Sequence, residues 1–221
     1  MRLAKFDAII FDNDGVLVDS EIIHITVERE LLNEIGLTYS HETYLSRFVG
    51  LSMPDFYAEL ERDHQSKFGR AFPPGFDAEL FRRVWPRIEA ELQPISGASE
   101  LVSRFDGPTA VASSAPPDRL NRKLEITRLK SFFEPRIYSS HAVKKGKPAP
   151  DLFLYAAARL SVAPSKCLVI EDSENGVRAG RAAGMTVIGF TGGLHADPKL
   201  GDRLRGAGAD FVVSSHADLL G

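Results

Sequence analysis

Six short apolar runs, rich in β-branched and aromatic residues, punctuate the chain at residues 6–11, 109–112, 136–139, 167–170, 186–190 and 211–213. Runs of this length bounded by turn residues read as buried strands. Between most of them apolar residues recur at helical spacing, over residues 99–105, 119–129, 150–160, 175–183 and 198–205. Strand alternating with helix predicts an α/β fold, a Rossmann-like parallel sheet covered on both faces. The alternation breaks once. Between residues 21 and 92 no strand pattern appears. There Ile23, Val27, Leu31 and Ile35 recur every four residues and stop at Gly36, a candidate C-cap. Phe56, Leu60 and His64 mark a second helix and Leu80, Val84 and Ile88 a third, divided by the loop Phe72-Pro73-Pro74-Gly75-Phe76. The expected layout is an α-helical cap domain at residues 18–95, inserted into a catalytic core formed by 1–17 and 96–221, which the chain re-enters near Pro94-Ile95-Ser96-Gly97.

Composition narrows the function classes. A length of 221 residues, 43% of them hydrophobic and 26% charged, suits a globular chain that can bury a substantial core. The net charge of −3 offers no footprint for nucleic acid or an anionic membrane. A single cysteine, Cys167, rules out an intrachain disulfide and a thiolate cluster. It lies within an apolar run and reads as a small core residue. No long apolar stretch suggests a signal peptide or a span, so a cytoplasmic protein is expected.

The chemistry gathers where predicted strands end. Asp12-Asn13-Asp14-Gly15 closes the first run: two carboxylates two positions apart, then a glycine that lets the backbone turn. At the carboxyl end of a central strand such a pair can supply a nucleophile and an acid/base with a cation between them. A solvated turn is the plainer reading. Ser113-Ser114 follows the second run and can donate to a phosphate oxygen, or can simply start a helix. In Lys144-Lys145-Gly146-Lys147-Pro148-Ala149-Pro150-Asp151, Lys147 is flanked by prolines and offers a preorganised positive charge, whereas Lys144 and Lys145 read as solvated. Glu171-Asp172-Ser173-Glu174-Asn175-Gly176 follows the fourth run; its acids can cap the next helix or complete an oxygen-ligand site for Mg²⁺ with Asp12 and the carbonyl of Asp14.

Together these four clusters resemble the haloacid dehalogenase superfamily, in the branch with a helical cap after the first motif. The likeness covers essentially the whole chain. It implies that Asp12 attacks phosphorus to give an aspartyl-phosphate, and that Asp14 protonates the leaving alcohol and then activates water. It implies that Lys147 screens Asp12, that Ser113 binds the transferring group, and that Mg²⁺ is held by Asp12, Asp14 and Asp172 with Glu171 in or near its outer sphere. The acid at Asp14 disfavours dehalogenation, because a halide leaves without a proton.

Within the superfamily the pattern is similar to β-phosphoglucomutase and to the small sugar-phosphate phosphatases, including those acting on 6-phosphogluconate. That likeness adds Asn13, His24, Gly50 and Ser114 as candidate substrate contacts, although strand alternation points Asn13 away from the two carboxylates. The stretch from Arg47 to Met53 resembles the subgroup's specificity loop. Where the mutase grips its second phosphate with an arginine and a lysine, Met53 and a position near Val84 stand here, with Arg82, Arg83 and Arg87 close by as a solvated face or an anion reader. Loss of both grips favours an Mg²⁺-dependent phosphatase of a small phosphorylated metabolite, with a phosphosugar mutase as the alternative. A monomer or small homo-oligomer is expected, without nucleic acid or membrane partners. His195, in a loop after the fifth run, reads as a surface residue.

Overall fold

Alternation along the strands divides the sheet's side chains between two layers. In the computed structural model, which describes residues 3–49, 51 and 53–220, the six expected strands form one parallel sheet. They are β1 (Ala8–Phe11), β2 (Thr109–Ser113), β3 (Ile137–Ser139), β4 (Cys167–Glu171), β5 (Thr186–Phe190) and β6 (Phe211–Val213), in the order β3-β2-β1-β4-β5-β6. The helices are α1 (Ser20–Glu34), α2 (His41–Phe48), α3 (Met53–Phe68), α4 (Phe76–Glu91), α5 (Ala98–Arg104), α6 (Pro117–Ile126), α7 (Lys130–Phe133), α8 (Asp151–Leu160), α9 (Glu174–Ala182) and α10 (Leu200–Ala207). Ala8, Ile10, Ala110, Val169 and Val187 face a layer built from α8, α9 and α10, where Leu152, Phe153, Val177 and Leu204 are buried. Cys167 belongs to this core, as its apolar surroundings in the sequence imply. Phe11 points the other way and meets Phe133 and His216 edge-on. Burial of apolar area at about 25 cal/mol per Å² is what holds both layers on the sheet.

The strand order reverses at β1, with β2 on one side and β4 on the other. Sheets of this kind bind ligands outside the carboxyl ends of the strands at that reversal. Pairing puts Phe11 level with Val111 and with Ile170. The next register level is therefore Asp12, Ala112 and Glu171, side by side at the open end of the sheet.

The chain divides into two compact units, Met1–Glu21 with Leu92–Gly221, and Ile22–Glu91. Val18 bridges to both Asp14 and Pro94, and the Asp19 N–H donates to the Gln93 carbonyl at 3.1 Å. These bonds tie the segments around the crossing points to the sheet. Among its described residues the second unit holds four helices and no strand, one helix more than the sequence periodicity suggests. The addition is α2, capped by Ser40, whose hydroxyl accepts from the Thr43 N–H at 3.0 Å. Its Tyr44, Leu45 and Phe48 are buried; Tyr44 packs on Phe48, and Phe48 meets Phe56 of α3 edge-on. Arg47 is in the last turn of this helix, paired with Glu59 and Asp63 at 2.9 Å each, so the expected specificity loop begins as helix. Gly36 takes the left-handed φ of +85° expected of a C-cap. Among the described residues no helix is long and apolar enough to cross a membrane.

Candidate active site

Lys147 occupies the centre of the register level one step beyond the strands. Its Nζ donates to Asp12 Oδ1 at 2.5 Å, to Glu171 Oε1 at 2.6 Å and to the Ala112 carbonyl at 2.9 Å. The side chain is 5% exposed. Burial alone would lower its pKa, but the two carboxylates raise it, so the ammonium stays charged. Lys144 and Lys145 are exposed, as expected.

Burial pushes the Asp12 carboxyl well above its ordinary range, against the pull of Lys147 and with further upward pressure from Glu171, Asp172 and Asp14. Several carboxylates thus crowd one cation, an arrangement that favours a second cation. Glu171 is fully buried, and both its oxygens are engaged: Oε1 by Lys147, Oε2 by the Ser173 N–H at 3.0 Å and its hydroxyl at 2.8 Å. A Cβ on Gly176 would stand 1.8 Å from the Glu171 carboxyl carbon, so this glycine makes room for it. Glu171 is thereby built to brace Lys147.

Asp172 follows on the β1 side. Burial raises its carboxyl to about 6, opposed by His195, whose Nε2 pairs with Oδ2 at 3.0 Å. His195 is the clear departure from the sequence reading: it is 6% exposed, not a surface residue. The loop after β5 carries it back against the turn after β1, where the Leu194 N–H donates to Asp19 at 3.1 Å. Burial would lower the His195 pKa, but its bond to Asp172 and that carboxylate's charge raise it. Gly15, at φ +75°, is what lets these groups meet. A Cβ there would lie 1.8 Å from Asp172 Oδ2 and 2.7 Å from His195 Cε1.

Asp14 is half-buried and accepts two donors on the same oxygen, Oδ1: the Ser20 hydroxyl and the Lys123 ammonium. Burial presses its pKa up, yet Lys123's charge and hydrogen bond, with the bond from Ser20, outweigh this and hold it below the usual carboxylate value. Lys123 was missed in the sequence. The available signal was its place among Leu120, Leu124 and Thr127, a lysine on the apolar stripe of a helix.

Ser113 ends β2 with its hydroxyl accepting from the Ala115 N–H at 3.1 Å, which leaves its proton to donate. Ser114 is exposed, and its carbonyl accepts from the Ser140 hydroxyl at 3.1 Å. Asn13 is fully buried; its side-chain amide has no hydrogen-bond partner among the described residues, while its carbonyl accepts from Leu17 and Val18 to close the turn. In the helical unit His24 lies half-buried on α1, and Gly50 lies outside the described residues. Val84 is buried. Arg82 and Arg83 pair with Glu79, Arg83 also with Glu34, and Arg87 with Glu30 and Glu91.

Among the described residues no three His, Cys, Asp or Glu side chains converge as a ready metal cage. Magnesium does not require one, because it takes one or two carboxylates together with waters and substrate phosphate. Asp12 and Asp172, both 8% exposed and both with raised pKa values, form a donor set that fits it.

A family model described as haloacid dehalogenase-like hydrolase matches residues 9–190, which takes in all four strand-end clusters. The chain belongs to this family. Among family members, the 6-phosphogluconate phosphatase of Escherichia coli K12 is 28% identical over 198 residues, covering 89% of this chain and 87% of that protein. The β-phosphoglucomutase of Bacillus subtilis 168 is 29% identical, over 96% of this chain and 91% of that enzyme. A crystal structure of a haloacid dehalogenase-like protein from Agrobacterium tumefaciens superposes with a TM-score of 0.87 at 39% identity, over 96% of this chain and 95% of that one. The chain is thus a haloacid dehalogenase-like hydrolase with phosphatases among its relatives.

Proposed function

We infer that this hydrolase is an Mg²⁺-dependent phosphatase that cleaves a small sugar phosphate or sugar-acid phosphate through an aspartyl-phosphate on Asp12. The observation that carries the reading is the pairing of a buried carboxylate, Asp12, held by a buried ammonium, with a second carboxylate two residues on, held by separate donors. Asp12 attacks phosphorus as the ester's P–O bond breaks, and Asp14, whose lowered pKa in the substrate-free site must be raised by the negative charge of the arriving phosphate for it to hold a proton, gives that proton to the leaving alkoxide. Water then attacks phosphorus, the bond to Asp12 breaks, and Asp14 takes up the water's proton. Lys147 lets an anionic phosphate approach an anionic nucleophile, and Ser113 donates to the transferring group. Asp12, the Asp14 carbonyl and Asp172 would hold magnesium, with Glu171 supporting Lys147; when bound, the metal supplies positive charge for the phosphate oxygens. His24, Gly50 and Ser114 are proposed substrate contacts; Asn13, expected among them, is fully buried and is not proposed as one.

Similarity to the mutase of Bacillus subtilis favours one other reading, a phosphosugar mutase. Against it, Val84 is buried, and the nearby arginines are spent on glutamates of their own unit. The deciding assay is phosphate release from a panel of hexose phosphates and 6-phosphogluconate with Mg²⁺, against EDTA and Asp12→Asn controls. Metal-dependent release lost in Asp12→Asn supports the phosphatase. Isomer interconversion without phosphate release, seen only with an added sugar bisphosphate, would establish the mutase instead.

A further inference from the structure

Lys123 belongs to none of the four strand-end clusters, yet its ammonium ends on the oxygen of Asp14. It comes from the last turn of α6, where Leu120 and Leu124 share its buried stripe, and it keeps 6% of its surface. Lysines are almost never buried without a partner. A pair of apolar residues would serve stability as well as a buried ion pair does, so the pair calls for another explanation. Lys123 Nζ and the Ser20 hydroxyl both donate to Oδ1 of Asp14. A carboxylate torsion is broad and roughly two-fold when free. Two donors arriving on one oxygen from different helices narrow it to one orientation. They leave Oδ2, on a side chain 19% exposed, as the oxygen that exchanges protons.

We propose that Lys123 is a positioning residue that aims Asp14 Oδ2 for both proton transfers of the reaction. The proposal rests on the phosphatase reading above and adds to it a fifth determinant outside the strand-end clusters. Lys123 touches neither phosphate nor leaving group and forms no bond during turnover. Besides the charge that lowers the Asp14 carboxyl, its effect is geometric, and misplacement of a reacting group by about 1 Å can cost on the order of 10²-fold in rate.

The test uses the full chain with Mg²⁺, comparing wild type, Lys123→Met and Lys123→Arg on an alkyl phosphate and on p-nitrophenyl phosphate, each variant first checked by thermal melting. Lys123→Met is expected to lower kcat about ten- to a hundredfold on the alkyl ester with a smaller change in KM. With the aryl ester the first step needs no proton, whereas breakdown of the phosphoenzyme still does. A rapid burst of nitrophenolate, one per enzyme and larger than in wild type, should therefore precede slow turnover. Lys123→Arg should recover most of kcat and reduce the burst. In an Asp14→Asn background, Lys123→Met should add no further loss. Should Lys123→Met fail to melt cooperatively, Ser20→Ala removes the other donor from the same oxygen and should show the same burst in weaker form. A folded Lys123→Met with wild-type kcat, a loss without any burst, or full additivity with Asp14→Asn would overturn the proposal alone. A wild-type protein that releases phosphate from no ester would overturn the phosphatase reading and the proposal with it.

Discussion

Replacing Lys147 with methionine keeps the side chain's bulk and removes its charge and three hydrogen bonds. The structure dictates what remains: the Asp12 and Glu171 side chains, 11% and 1% exposed, facing one another with no cation between them. Breaking a buried ion pair by removing one partner costs about 3–5 kcal/mol. The protein can limit that cost by protonating one carboxylate, which at about pH 7 for a group of ordinary pKa near 4 costs roughly 4 kcal/mol, the same size. At about pH 5 the protonation cost falls by roughly 2.7 kcal/mol. Burial already holds the Asp12 carboxyl above its unfolded value, and the variant loses the Lys147 charge that pulls it down. Its stabilising proton is fully kept below the unfolded value and is lost as pH rises through the folded one. Urea unfolding without metal should therefore show Lys147→Met less stable than wild type by about 3–5 kcal/mol near pH 7, with the deficit shrinking by about 2–3 kcal/mol near pH 5. A deficit that stays constant between those pH values would refute the claim that Lys147 is there to neutralise the two acids.

Three further outcomes follow from the geometry around Asp172. Gly15→Ala places a Cβ 1.8 Å from Asp172 Oδ2 at a φ of +75°. It should cost about 1–3 kcal/mol in thermal stability and weaken Mg²⁺ binding by calorimetry, and wild-type affinity would contradict the placement of Asp172 against this turn. His195→Ala removes the donor that orients Asp172 and should weaken Mg²⁺ affinity about 10–100-fold; unchanged affinity would exclude that role. With Asp172 raised from 3.8 to about 6, its contribution to metal-free stability is full below the lower value and lost as pH rises through the upper one. Mg²⁺, which needs the carboxylate, should raise the melting temperature more at about pH 7 than at about pH 5. Equal shifts would count against Asp172 as a ligand.

The six strands were legible because each is a short apolar run bounded by polar or turn residues, and β1, β2, β4 and β5 are buried on both faces, while the edge strand β6 is not. Asp12, Ser113 and Glu171-Asp172 were legible for the same reason: each interrupts or ends such a run just where a strand opens to the ligand side. Helix α2 was not, because its buried Tyr44, Leu45 and Phe48 span only two turns, too few for a repeat to stand out. Lys123 and His195 were hidden for a different reason. Their partners, Asp14 and Asp172, are 109 residues and 23 residues away in the chain, and only the packing of α6 and the return of the β5 loop create the contacts. A lysine on an apolar stripe was the one local trace. His195 left none.

In the proposed reaction Asp12 carries the phosphoryl group between the two half-reactions. This is tested most directly by mixing the protein with an aryl phosphate and Mg²⁺, quenching in acid within milliseconds, and locating added mass by peptide mass spectrometry. One phosphoryl group is expected on the peptide containing Asp12, absent from Asp12→Asn and more abundant in Asp14→Asn, where breakdown lacks its base. Turnover with no covalent phosphate in any of these, or a phosphoryl group on another residue, would contradict it.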